Sequence, residues 1–167
     1  MALLGKGFFE RPALTVAEDL LGALLVKKHG GTTAKLLITE VEAYDGPNDR
    51  ASHAWRGETP RTKIMFGPAG VWYVYLVYGM HWMLNIVTGA EGYPAALLIR
   101  GTREISGPAR LTKQLGIDKR FNGQTAVPKN SLWIETAAQP FNGAKEILRT
   151  PRIGIEYAGS NWAKKPY

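Results

Sequence analysis

Residues 36 to 61 read L-L-I-T-E-V-E-A-Y-D-G-P-N-D-R-A-S-H-A-W-R-G-E-T-P-R and hold most of the side chains that could do chemistry. An apolar run starts at Leu36 and ends in two carboxylates, Glu40 and Glu42. Tyr44 follows, and Asp45-Gly46-Pro47 then turns the chain into a polar loop carrying His53. A carboxylate at the rim of an apolar strand face is partly stripped of water. That raises its proton affinity and suits it to take a proton from a water molecule. Strand alternation puts Leu36, Ile38, Glu40, Glu42 and Tyr44 on one face, apolar below and acidic above. Parity therefore does not choose between the two glutamates, and the commonest fate of either is a solvated strand end.

A second focus is V-W-Y-V-Y-L-V-Y-G-M-H-W-M-L-N-I-V-T, residues 71 to 88. Aromatic and β-branched residues predict two strands meeting at Tyr78-Gly79-Met80. Hairpin tips usually carry small polar residues. Here Tyr78 and Met80 stand at the tip, either as an apolar wedge for base steps of DNA or folded back on the core. Tyr75 and Asn85 share a face of a regular hairpin only if the loop has an odd number of residues.

The elements that must position these groups follow from pattern. Thr15-Val-Ala-Glu18 reads as a capping box opening a helix through Leu21. Residues 23 to 28 and 34 to 43 read as an antiparallel hairpin around Gly30-Gly31. Thr59-Pro60 starts a helical turn. Residues 95 to 103 form a further strand, and Ser106-Gly107-Pro108 opens a helix to Leu115 closed by Gly116. Residues 131 to 136 and about 145 to 157 read as short strands. The sum is one α+β domain over 1–167, with a curved, largely antiparallel sheet, a few flanking helices and a protruding hairpin at about 71–88.

Composition narrows the function. The chain has 167 residues, no cysteine, an apolar fraction of 45%, a net charge of +7 and a pI near 9.7. Without cysteine there are no disulfides or thiolate zinc sites. No run spans a membrane and no secretory pattern opens the chain, so a cytoplasmic or, in a eukaryote, nuclear location is expected. The basic surface favours a polyanion such as nucleic acid. Phosphate-cradling loops, paired helical histidines and a serine nucleophile elbow are missing. The series Glu40, Glu42, Asp45, Asp49 keeps a metal-dependent nuclease open. The aromatic hairpin keeps open a non-catalytic nucleic-acid binder, and Lys63 is the nearest amine for a lyase.

The strings T-E-V-E-A-Y-D-G-P-N-D-R-A-S-H and F-G-P-A-G-V-W-Y-V-Y-L-V-Y-G-M-H-W-M-L-N-I resemble the alkyladenine (mammalian-type 3-methyladenine) DNA glycosylase family. The likeness extends to F-F-E-R-P-A, S-G-P-A-R-L, P-R-I-G-I and A-G-S-N-W-A-K-K-P. It implies a monofunctional glycosylase of base excision repair. Such an enzyme works without metal or cofactor, as an expected monomer on duplex DNA containing damaged purines. Carried over by motif, Glu42 is the catalytic acid residue, Arg100 lies near the attacking water, and the Ile153 backbone helps hold that water. Tyr44 and His53 flank one side of the flipped base and Tyr75 the other. Asn85 excludes the amino group of guanine. Tyr78, with Met80, fills the gap in the base stack. Independently of the resemblance, the basic residues Arg61, Arg110 and Lys113 are candidates for phosphate contacts, or else ordinary solvated charges. Against the family pattern, one residue is missing between His53 and Thr59, two are added between Asn85 and Arg100, and relatives continue past Tyr167. Glu40 is left with a supporting role.

Overall fold

The computed structural model describes residues 1–137 and 147–167. Among the described residues six strands form one sheet, and all neighbours are antiparallel. They are β1 (Leu24–His29), β2 (Thr32–Asp45), β3 (Trp72–Val77), β4 (His81–Val87), β5 (Ala95–Thr102) and β6 (Leu132–Glu135), in the spatial order β3-β4-β5-β2-β1-β6. Four short helices among the described residues flank the sheet: α1 (Lys6–Phe9), α2 (Ala13–Leu20), α3 (Pro108–Leu115) and α4 (Ser160–Ala163). The α+β class, the curled antiparallel sheet and the β1–β2 hairpin agree with the sequence reading.

The main core lies on one face of the sheet. Phe9, Ala13, Val16 and Leu20 from α1 and α2, with Leu111 from α3, pack against Trp72, Leu84, Ile86, Leu97 and Ile99. These strand residues follow the period of two, so their neighbours Tyr73, Asn85, Ala96 and Leu98 must face the other way. The second face is covered in part by the 46–66 segment, through Ala54 and Met65 against Tyr73, Val87 and Ala96. With both faces covered, β5 is almost wholly buried, which accounts for its continuous A-A-L-L-I run.

Several expectations need correction. The helix α2 begins at Ala13 with Pro12 as its cap and makes no side-chain capping bond, so Thr15 and Glu18 are interior residues. Proline fixes the entry dihedral, and Ala13 and Val16 then reach the core one turn earlier than a start at Thr15 allows. The strand expected over 145–157 is absent from its described part: 147–155 is irregular and Glu156–Ala158 is a 3₁₀ turn. Residues 145 and 146 lie outside the described residues. The helical turn after Thr59-Pro60 is realised as a turn followed by a 3₁₀ segment, Lys63–Phe66.

The shared face expected for Leu36, Ile38, Glu40, Glu42 and Tyr44 is split. Pairing runs Ile38↔Thr102, Glu40↔Gly101, Val41↔Ile99, so Thr39 on β2 and Arg100 on β5 are each left out of the ladder. This double bulge shifts the alternation by one. Ile38 belongs to the core with Val41 and Ala43, while Glu42 and Tyr44 point to the opposite face.

Candidate active site

The β3–β4 hairpin has the register Val77↔His81, which leaves Tyr78-Gly79-Met80 as the loop. The loop is odd, so Tyr75 and Asn85 share a face, as required. The Met80 amide donates to the Val77 carbonyl at 3.1 Å. Tyr78 and Gly79 both have positive φ, 51° and 67°, the mirror-image turn that matches strand twist. Tyr78 is one of two non-glycine residues in this conformation among those described, and it is 89% exposed. Met80 beside it is also exposed. The tip stands clear of the core.

Direct cross-strand pairing aligns Tyr73, Asn85, Leu98 and Glu42 in one row across four strands: Tyr73↔Asn85, Asn85↔Leu98 and Glu42↔Leu98. The adjacent row carries Tyr44 and Ala96. Cross-strand partners share a face, and that face is the floor of a cavity of about 420 Å³. Tyr44, His53, Tyr75, Tyr78, Asn85, Arg100 and Ile153 all border it with Glu42. The structure therefore brings together, in one place, the acid from β2, the arginine from β5, the asparagine from β4 and the hairpin tip.

Glu42 is buried, 4% exposed, and three polar groups hold its carboxylate. Its Oε1 accepts from the Ile153 amide at 2.8 Å and lies 3.2 Å from an Arg100 guanidinium nitrogen; its Oε2 accepts from the Tyr44 hydroxyl at 3.0 Å. Charge-assisted donors hold the carboxylate in a single orientation. Burial, followed by the neighbouring Glu42 charge, pushes the Tyr44 hydroxyl well above the usual range, so it stays a donor. Burial likewise raises Tyr75.

His53 opens a 3₁₀ turn capped by the Ser52 side chain. Its Nδ1 lies 3.1 Å from the Tyr73 hydroxyl. Burial first, and the Arg61 charge second, pull its pKa down to about 4, which makes the ring neutral at physiological pH. The His53 and Tyr75 rings touch edge to face, with centroids 4.6 Å apart. They form one corner of the cavity, with no room for a base between them. This differs from the expected arrangement with His53 and Tyr75 on opposite sides.

Both amide hydrogens of Asn85 are committed, one to the Tyr73 carbonyl at 3.1 Å and one to the Met83 carbonyl at 3.3 Å. The side chain is thereby locked in the strand face. Arg61 is exposed and lies over the ring of Tyr75, a residue of the cavity wall, at 5.1 Å, without bordering the cavity itself. Arg110 and Lys113 are exposed on α3, whose first residue, Pro108, borders the cavity. Lys63 is exposed and does not border it.

Sequence reading missed Tyr73, Tyr157 and Arg152. Tyr73 has the parity of Tyr75 and could have been found by it. Tyr157 borders the cavity and donates to the Ala51 carbonyl at 2.9 Å. Arg152 is buried and pairs with Asp49; both come from irregular segments that carry no periodic signal. Among the described residues no three His, Asp or Glu side chains gather into a metal site. The carboxylates that a cation would need are turned to guanidinium groups: Glu40 and Glu42 to Arg100, Asp49 to Arg152.

The sequence matches the family described as methylpurine-DNA glycosylase, over residues 7–106 and 101–167. The chain belongs to the methylpurine-DNA glycosylase family. It is 45% identical to a Myxococcus xanthus protein provisionally named 3-methyladenine DNA glycosylase, with all of this chain and 89% of that protein aligned. A Methanocella arvoryzae protein of the same provisional name is 39% identical, over 100% of this chain and 91% of its own. One from Legionella pneumophila is 42% identical, over 99% and 92%. Membership in the methylpurine-DNA glycosylase family makes the chain a DNA glycosylase, a hydrolase of N-glycosyl bonds that works in DNA repair with DNA as its substrate. No helix among the described residues is long and apolar enough to cross a membrane.

Proposed function

We propose that this glycosylase is monofunctional, that it flips alkylated or deaminated purines out of duplex DNA, and that Glu42 activates the water that cleaves the N-glycosidic bond. One observation carries this reading. Glu42 is a buried carboxylate on the floor of an aromatic-lined cavity, fixed by Arg100, Tyr44 and the Ile153 amide.

Cleavage builds positive charge on the sugar. A fixed carboxylate stabilises that charge and accepts the proton of the attacking water. Alkylated purines are already cationic and leave readily. A neutral base such as hypoxanthine is a poorer leaving group, so its excision depends more on the Glu42 carboxylate that stabilises the sugar charge and activates the water. The faces of Tyr75 and Tyr44 offer stacking to an extruded base, with a cation–π contribution when the base is charged. Asn85, locked by two carbonyls, is a rigid edge against which the exocyclic amino group of guanine would collide. In this reading Tyr78 and Met80, both exposed at the hairpin tip, enter the duplex and fill the gap left by the base. Arg61, Arg110 and Lys113 supply salt-dependent attraction to phosphates.

The test is excision, with EDTA present, from duplexes bearing 3-methyladenine, ethenoadenine, hypoxanthine or 7-methylguanine. Glu42→Gln is expected to lower the hypoxanthine rate by about 10²-fold or more while lesion-DNA binding is kept. Ordinary activity in the Glu42→Gln variant, or abasic sites that appear only when a divalent cation is supplied, overturns the proposal.

A further inference from the structure

Arg100 does not serve Glu42 alone. Its Nε donates to Glu40 Oε1 at 2.7 Å, while another guanidinium nitrogen lies 3.2 Å from Glu42 Oε1. The arginine is mostly buried, and Glu40 is half-exposed on the far side. A cavity of about 130 Å³ beneath α2 opens on Glu40, Arg100 and Glu42 from behind. Two features of the backbone accommodate this contact. The double bulge leaves Thr39, the neighbour of Glu40, and Arg100 itself out of the ladder. Gly101 then makes room for Glu40: a Cβ there would stand 3.2 Å from Glu40 Oε2 and 3.5 Å from Glu40 Cβ.

We infer that Glu40 is a positioning residue, which through Arg100 sets the geometry of the Glu42 centre. The inference rests on the reading of Glu42 given above. An arginine side chain has several soft torsions, and one contact to Glu42 leaves the guanidinium plane free to turn. The Nε bond to Glu40 fixes that plane, because Nε, Cζ and both terminal nitrogens are coplanar. Glu40 does not border the front cavity, whereas Arg100 does. It therefore acts by holding Arg100, not by touching the flipped base. The other charged side chains around this rear cavity, among the described residues, are Glu18 and Arg149, which pair with each other.

The test is a double-mutant cycle on single-turnover excision of hypoxanthine. Glu40→Ala is expected to slow excision by about tenfold in the otherwise native chain, and by less than about twofold in an Arg100→Ala background. Affinity for lesion DNA and the unfolding midpoint are expected to stay at their native values. An equal effect in both backgrounds marks a purely structural role and overturns the inference; so does a native rate for Glu40→Ala, or a loss carried wholly by DNA affinity. Glu42→Gln run alongside separates the two levels. If it is inactive while Glu40→Ala is native, only the role of Glu40 falls; if it is active, the reading of Glu42 falls first.

Discussion

The guanidinium of Arg152 and the carboxylate of Asp49 form an ion pair with no solvent exposure, one residue before the amide that donates to Glu42. Asp49 also accepts from the amides of Asp45 and Ala51, and Arg152 donates to the Ala43 carbonyl on β2. The Arg152 guanidinium lies over the rings of both Tyr44 and Tyr167, 4.9 and 5.1 Å away. The pair thus fastens the irregular 147–155 segment to the strand that carries the acid. Asp49→Asn leaves a buried charge without its partner, and such a break costs about 3–5 kcal/mol. Urea unfolding is expected to report a loss of that size. A loss below about 1 kcal/mol would show that the pair is dispensable.

A pH effect on stability follows from His53. Its folded pKa, about 4, lies below its ordinary value of 6.5. The folded state therefore keeps the ring neutral where the unfolded chain protonates it. The contribution is fully present above about pH 6.5 and is lost as pH falls from there toward 4, with a ceiling of roughly 3 kcal/mol. Thermal unfolding of the native chain and of His53→Gln across that window isolates it. The difference in stability between the two is expected to shrink as the pH drops; a constant difference refutes the buried, neutral histidine.

At the hairpin tip, Tyr78→Ser removes an exposed ring without touching the core. A stacked aromatic contributes about 1–3 kcal/mol per base. Fluorescence of a base analogue opposite or beside the lesion is expected to show base extrusion weakened by about tenfold, with excision slowed in step. Unchanged extrusion and an unchanged rate remove the wedge role.

The fold was legible where residues obey a period. The aromatic and β-branched runs of β3 and β4, the apolar run of β5, the odd hairpin loop and the α3 boundaries all follow from side chains close together in sequence. What was not legible depends on partners far along the chain. The bulge at Thr39 forms opposite Arg100, on a strand distant in sequence, and it places Ile38 on the face opposite Glu42. The start of α2 turned on which turn reaches the core, and a plausible capping box at Thr15 gave way to Pro12. In the site, Glu42, Tyr44, His53, Tyr75 and Asn85 were recognised through motif strings and stand around one cavity. Arg152 and Tyr157 were invisible because they sit in segments without a periodic pattern, where only tertiary contacts assign a role.

The left-handed backbone at Tyr78 has an evolutionary corollary. A bulky residue held at positive φ costs on the order of 1–3 kcal/mol, and glycine or asparagine at that position would relieve it. Variants chosen for heat resistance alone should therefore drift toward small residues at the tip and become sturdier proteins that handle damaged DNA poorly. Under the wedge reading proposed for Tyr78, folding stability and the handling of DNA pull in opposite directions at this one position.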